Sequence, residues 1–485
     1  MNSVTKLVEP ATRRPDERRW LALAFIALAQ LMAALDATIV SIALPWAQRD
    51  LGASDAERQW VITAYTLAFG GLLLVGGRIA DAIGRKRSFL IGLAGFAIAS
   101  ALGGSAGSFA VLLAARAAQG AFAALLAPTA LSLLAVTFTE PHERARAFAL
   151  YGAIAGSGAA LGLLLGGVLT QSLNWRWCLY VNVPIAVVAA IGGWRFLTEA
   201  RVGSGRQFDI PGVLLVTGGL VTLVYGCTQV VSAGWGSATV IGFLAISAVL
   251  LVAFVVREAR APSPLLPLWI VLDRNRGGAY LAAALAIAAM FGAFLFLTYY
   301  LQVVLRYSPL QAGLAFLPLT LASQAGSWGI ASVLMPRVPA RVIMAPGALV
   351  AAAGMLVLTQ IPVTGGYLSH VLPAEILLGI GIACVMAPAF NIGTRGVDPR
   401  QAGVAAATVN AAVQVGASLG TALLNTIAAG ATAAYLSGRS SSAALIDQAL
   451  VHGYSTATGW AAAILVLGAV STFLLINTGR PPRRG

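Results

Sequence analysis

Two ionisable side chains sit inside long apolar runs, where packing alone does not account for them. Asp36 lies nine residues before Pro45 in the run that starts at Trp20, and Arg116 lies seven residues after Phe109 in a later one. An ionisable group in such a run marks a functional site by default, because burying it in lipid costs at least about 2.5 kcal/mol on the most lenient scale. Helices running in opposite directions and rising about 1.5 Å per residue would carry the two to similar depths, roughly 13 and 10 Å below one surface. One reading is a proton or cation site, set by desolvation against the opposing charge. The other is a fixed ion pair that ties two helices together, although a buried pair is a poor stabiliser by itself. Glu375 enters its run only a few residues after Pro373. It is either a functional acid or a carboxylate that snorkels to interfacial water.

Uncharged polar residues form a second set. Asn410, Gln414, Ser418, Thr421 and Asn425 recur at spacings of four, four, three and four, which puts them on one helix face. Such a face looks into a cavity or bonds a neighbouring helix. Thr320, Gln324 and Ser327, with Gln302 before them, repeat the theme. Together Gln302, Gln324, Glu375, Asn410 and Gln414 are the candidate substrate-cavity residues.

Glycines at Gly152, Gly156, Gly158, Gly162, Gly166 and Gly167 give overlapping GxxxG spacings, which let another backbone approach closely. They are expected where two bundles slide or hinge. Between two other runs stands Gly77-Arg-Ile-Ala-Asp81-Ala-Ile-Gly84-Arg85-Lys86-Arg87. Glycine permits the tight turn, and Asp81 opposite the basic cluster reads as a latch. Charge that merely orients the chain explains Arg85, Lys86 and Arg87 but not Asp81.

The elements that must position these residues are helices in lipid. Hydrophobic residues make up 59% and charged residues 10%, and the mean hydropathy is +0.84. Apolar runs long enough to cross a hydrocarbon core of about 30 Å recur almost to the C-terminus, and they lack the alternation of a barrel strand. The run from Trp20 is too long for the core of a cleaved signal and reads as the first span. Fourteen spans result. With a cytoplasmic N-terminus, 25 Lys and Arg fall in inner segments and 5 in outer loops, as the positive-inside rule requires. That division places both termini in the cytoplasm, and it assigns the net charge of +14 to orientation in the cytoplasmic (inner) membrane rather than to nucleic acid.

The chain divides into a tail at 1–19, a six-helix bundle at 20–197, a two-helix insert with flanking cytoplasmic loops at 198–276, a second six-helix bundle at 277–477 and a tail at 478–485. The apolar stretch at 264–272 reads as an interfacial segment, and 435–455 as a polar outer loop. No GxxxxGK[ST] loop is present, so no nucleotide and no cofactor is expected and a gradient must supply the energy. His142, His370 and His452 fall in connections without arranged acids or cysteines, which argues against a membrane enzyme. Cys178, Cys227 and Cys384 lack metal or redox spacing and read as small core residues.

These residues resemble the fourteen-span drug:proton antiporter branch of the major facilitator superfamily over nearly the whole chain. Leu35 to Pro45 looks like its first-helix signature and Gly77 to Arg87 like its loop motif. Arg116, Gln119 and Gly120 look like its fourth-helix motif, and Gly152 to Gly167 like its fifth-helix antiporter motif. Trp175 to Pro184, Tyr300 to Pro318 and Val397 to Gly403 also match. Three positions depart: Leu163 stands where the family has proline, Ala82 where a basic residue is usual, and Ser41 where asparagine is common. The resemblance implies export of amphipathic compounds against inward proton movement, with Asp36 and Arg116 in proton coupling. A proton-linked uptake symporter is the nearest alternative.

Overall fold

The computed structural model describes residues 17–477 apart from 55–56, 139, 200–208, 262–263, 267, 395–401 and 440–441. The expected tails and the Val397-Asp398-Pro399 stretch therefore lie outside the described residues or almost so. Among the described residues the fold is helical with no strand, and eleven helices are long and apolar enough to cross a membrane. Helix is the form that satisfies every backbone group within one segment in lipid. The chain is a multi-pass membrane protein.

In chain order the helices are α1 (Glu17–Leu51), α2 (Trp60–Ile83), α3 (Arg85–Gly104), α4 (Phe109–Thr137) and α5 (Pro141–Ser172). Then come α6 (Trp177–Tyr180 continued by Asn182–Phe196), α7 (Ile210–Ala233) and α8 (Ala238–Arg260). After a short helix at Leu268–Leu272 follows α9 (Arg274–Tyr299 with a π-helical turn at Tyr300–Val304). Helix α10 is broken into Pro309–Ala315, Leu317–Ala325, a π-helical turn at Gly326–Ala331 and Ser332–Leu334. The set closes with α11 (Arg341–Leu358), α12 (Leu372–Thr394, preceded by a π-helical turn at Tyr367–Val371), α13 (Ala402–Leu436) and α14 (Ala443–Leu475).

Short polar side chains set several starts by accepting from exposed first-turn N–H groups. Ser108, Asp209, Ser237, Asp273 and Ser442 do so for α4, α7, α8, α9 and α14. Ser308 and Gln311 form a reciprocal capping box at α10. The cap on Ser442 corrects the expected polar loop at 435–455, because α14 starts at Ala443 and the connection is only a few residues long. Its acid, Asp447, pairs with Arg306.

Helices α1 to α6 pack on one another as one half and α9 to α14 as the other, and the halves meet along α2 with α13 and along α5 with α10. The insert α7–α8 lies over the α2–α13 seam, where Leu220 and Val224 pack with Leu67 and Ala422. The starts of α1 and α5 are joined by Arg19 and Glu143, and the start of α9 meets the end of α14 through Arg274 and the Leu474 carbonyl. These contacts define a termini end of the bundle and an opposite, far end. One apolar core runs through both halves toward the far end, including Ile42, Leu163, Tyr299 and Phe316. Near the termini end the first half has a core of its own around Phe89, Phe96 and Leu133.

Candidate functional site

The two intramembrane charges meet. Arg116 Nη1 donates to Asp36 Oδ2 at 2.6 Å, with the side chains 2% and 0% exposed. Asp36 Oδ1 accepts from Gln119 Nε2 at 2.9 Å and from Asn182 Nδ2 at 2.8 Å. Arg116 is held in turn by Gln119 Oε1 and the Val61 carbonyl, and its guanidinium lies over the Tyr65 ring. Gln119 also donates to Ser100 Oγ at 2.8 Å. Six helices therefore contribute if Tyr65 and Val61 of α2 are counted with α1, α3, α4 and α6, plus the glycine face of α5 behind them.

Small residues make this convergence fit. A Cβ at Gly120 would overlap the Tyr65 carbonyl of α2, so α4 can approach closely enough for Arg116 to reach Val61. Gly158, Gly162 and Gly166 of α5 lie against Ala34, Leu35 and Ile39 of α1 in the same way. The glycine-dense helix was expected between bundles, yet three of its glycines serve contact inside the first half. Gly167 does face the second half, against Pro309 and Leu310, and Gly313 of α10 returns the contact at the Leu163 carbonyl. Gly152 and Gly156 lie outside the residues whose surroundings are described.

Hydrogen bonds between the halves gather at the far end. Gln302 Oε1 accepts from Trp46 Nε1 at 3.1 Å while its Nε2 donates to the Ile42 carbonyl at 3.0 Å. Tyr299 donates to Gln48, and Arg58 reaches Asn425 while lying over the Tyr299 ring. Thr66 and Ser418 share a hydrogen bond of 2.6 Å. The polar face of α13 is thus divided: Ser418 and Asn425 join the halves, whereas Asn410 and Gln414, nearer the termini end, are only half-buried. Gln324 is half-buried on α10.

Glu375 differs from the snorkelling alternative. It is 0% exposed, and neither carboxyl oxygen has a hydrogen-bond partner. The π-helical turn at Tyr367–Val371 starts the helix earlier than Pro373 suggests and carries Glu375 inward.

The loop motif has a partner that sequence reasoning missed. Gly84 has φ +103°, a left-handed value that favours glycine, and it turns α2 into α3. Beyond it the backbone N–H groups of Lys86 and Arg87 donate to the Glu199 carboxylate, Lys86 Nζ donates to the Trp194 carbonyl and Arg87 pairs with Glu199. An anion suits a helix N-terminus, where unpaired N–H groups gather. Arg85 donates to the Ser132 carbonyl and Gly77 is in ordinary contact with Pro128. The Asp81 side chain, the centre of the expected latch, lies outside the described residues.

Residues 26–421 match the Major Facilitator Superfamily, and the chain belongs to that family of transporters. It is 52% identical to a puromycin resistance protein of Streptomyces alboniger, over 98% of this chain and 95% of the relative. It is 41% identical to a cephamycin export protein of Amycolatopsis lactamdurans, over 85% of each chain. The fold is similar to that of a bacterial homologue of the human lysosomal transporter Spinster in an inward-facing, unoccupied conformation. That likeness has a TM-score of 0.69 at 17% identity and covers 95% of this chain and 98% of that one.

Proposed function

We propose that this chain exports amphipathic small molecules, antibiotics and related natural products among them, in exchange for protons by alternating access. In this reading the chain crosses the cytoplasmic membrane fourteen times with both termini inside. The termini end is then the cytoplasmic end, and the state described is closed to the outside.

The single observation that carries the reading is the Asp36 carboxylate, enclosed among Arg116, Gln119 and Asn182. A proton added to that carboxylate competes with the donors that hold it, so protonation loosens ties that run from α1 to α4 and α6. Asn182 Oδ1 is buried without a partner. Rotating the amide would turn this oxygen toward a protonated Asp36 and let the site accept either protonation state. One proton moving down 100 mV supplies about 2.3 kcal/mol, enough to bias a rocking equilibrium between two packed halves. Similarity to a cephamycin export protein and to a puromycin resistance protein supports the outward direction of substrate movement.

Uptake symport is the second reading, favoured by one observation: Leu163 occupies the position of the family proline and is fully buried against the interface with α10. The direction assay separates the two. Proteoliposomes under an imposed pH gradient are given labelled puromycin; movement opposite to the protons supports export, and movement with them supports symport.

A further inference from the structure

Helices α2 and α13 are in close contact at their middle and have another partner at the termini end. A Cβ at Gly70 would overlap Gln414 of α13, while Gly71 beside it lies against Thr217 of α7. Eight residues further, about 12 Å toward the termini end, Arg78 Nη2 donates to the Pro264 carbonyl at 2.6 Å. Pro264 belongs to the connection that leads from α8 to α9. On the other side, Ala405 and Val409 near the start of α13 pack on Ile270 of the short helix Leu268–Leu272, together with Tyr280 of α9. One connection thus holds the termini-end turns of both helices.

The insert supplies the third anchor. The Leu266 N–H donates to Glu258 Oε2 of α8 at 2.9 Å. Glu258 is 3% exposed and its other carboxyl oxygen has no hydrogen-bond partner, so this buried acid serves the connection. Arg78 also lies within electrostatic reach of it. Leu265, between the two bonded residues, is buried. Asp209 accepts from the Gly212 N–H at the start of α7 and pairs with Arg257 of α8 at 3.0 Å, which fixes the two insert helices to each other where the connection leaves them. Both ties to the connection have one charged member, and such hydrogen bonds are roughly twice as strong as neutral ones.

We propose that this connection, through Pro264–Leu266 and Leu268–Leu272, is a strap by which the two-helix insert holds α2 and α13 at a fixed spacing at the termini end and so stabilises the state closed at the far end. Rocking of one half against the other changes that spacing, whereas the anchors of the strap are fixed on α8 and on α13. Arg78 therefore leaves Pro264 before the termini end closes. The insert is a working part of the rocking, acting on α2 through one guanidinium. This assignment rests on the alternating-access reading above and adds to it the role of α7 and α8.

The test is pulsed EPR on the full chain in lipid nanodiscs, in a background free of other cysteines. Labels at Ile83→Cys and Arg337→Cys report on the termini end, and labels at Leu173→Cys and Arg439→Cys on the far end. Arg78→Leu and Glu258→Leu each remove one tie. The expected result in both is a population with a shorter termini-end distance and a longer far-end distance, raised about tenfold relative to the wild type. Distributions unchanged in both variants, or a termini-end distance that lengthens, overturn the strap. A second experiment replaces the tie by a covalent one: Arg78→Cys and Pro264→Cys are joined by a reducible bis-methanethiosulfonate reagent, and movement of labelled puromycin in proteoliposomes is followed. The joined chain is expected to stop and to resume on reduction. Movement in the joined chain at the unjoined rate overturns the strap while leaving export standing. If the unjoined chain moves no puromycin, the export reading falls, and the distances, which need no substrate, decide on the strap by themselves.

Discussion

Gln302 of α9 holds α1 with both ends of its side-chain amide, accepting from the Trp46 indole at 3.1 Å and donating to the Ile42 carbonyl at 3.0 Å. The far-end closure is therefore written partly in one carboxamide. Each such bond contributes about 1 kcal/mol net, so Gln302→Ala is expected to move the balance toward far-end opening by roughly tenfold or more. Pulsed-EPR distances between labels at Leu173→Cys and Arg439→Cys, in a chain otherwise free of cysteine, would show a longer population grow. An unchanged distribution would mean that the apolar core alone closes this end.

Arg116 and Asp36 make a pair whose members are costly apart. Arg116→Leu leaves a carboxylate enclosed without its cation, a loss of about 3–5 kcal/mol for a buried pair. The melting temperature in detergent should fall sharply in Arg116→Leu and recover in large part when Asp36→Leu is added. Equal melting of the single and double variants would show that the carboxylate finds another partner.

Gly162 sits where any side chain would meet Thr38 Oγ1 and the Leu35 carbonyl of α1. Overpacking of this kind costs about 1–3 kcal/mol, and here it would also shift Asp36, one residue along. Gly162→Ala is expected to lower both thermal stability and transport, while Gly107→Ala, with open space around it, changes neither. Transport at the wild-type rate in Gly162→Ala would show that α1 and α5 can separate without consequence.

Glu57, in the connection between α1 and α2, is not expected to sense pH near neutrality. The Ser54 backbone N–H, then its hydroxyl, hold the Glu57 carboxyl below its ordinary value of 4.5. A lowered acid stabilises the fold above its unfolded value and loses that contribution only as pH falls through the lowered one. Glu57→Gln should leave the pH profile of transport unchanged between about pH 5 and 8. A displaced profile would bring this turn into the coupling path.

Much of this was legible from residue types because lipid punishes exceptions. The apolar runs located the helices, and the depths of Asp36 and Arg116 anticipated their contact. Asn182 and Ser100 were not legible as partners: a single uncharged polar residue barely changes hydropathy, and only the rotation of α6 brings Asn182 to the carboxylate and that of α3 brings Ser100 to Gln119. Glu199 was missed as the cap of α3 because its partners are backbone N–H groups more than a hundred residues earlier. The π-helical turns at Gly326 and Tyr367 left no periodic signal, since each shifts helical register without a change in composition. That is why the enclosure of Glu375 emerged only in three dimensions.

The central claim is that substrate export is driven through Asp36. Its most direct test is proton flux into liposomes that contain the purified chain, triggered by puromycin under an imposed pH gradient, for wild type and for Asp36→Asn. The account predicts puromycin-dependent proton movement in the wild type and its loss in Asp36→Asn, with puromycin binding retained. Puromycin-dependent proton movement at the wild-type rate in Asp36→Asn would contradict it.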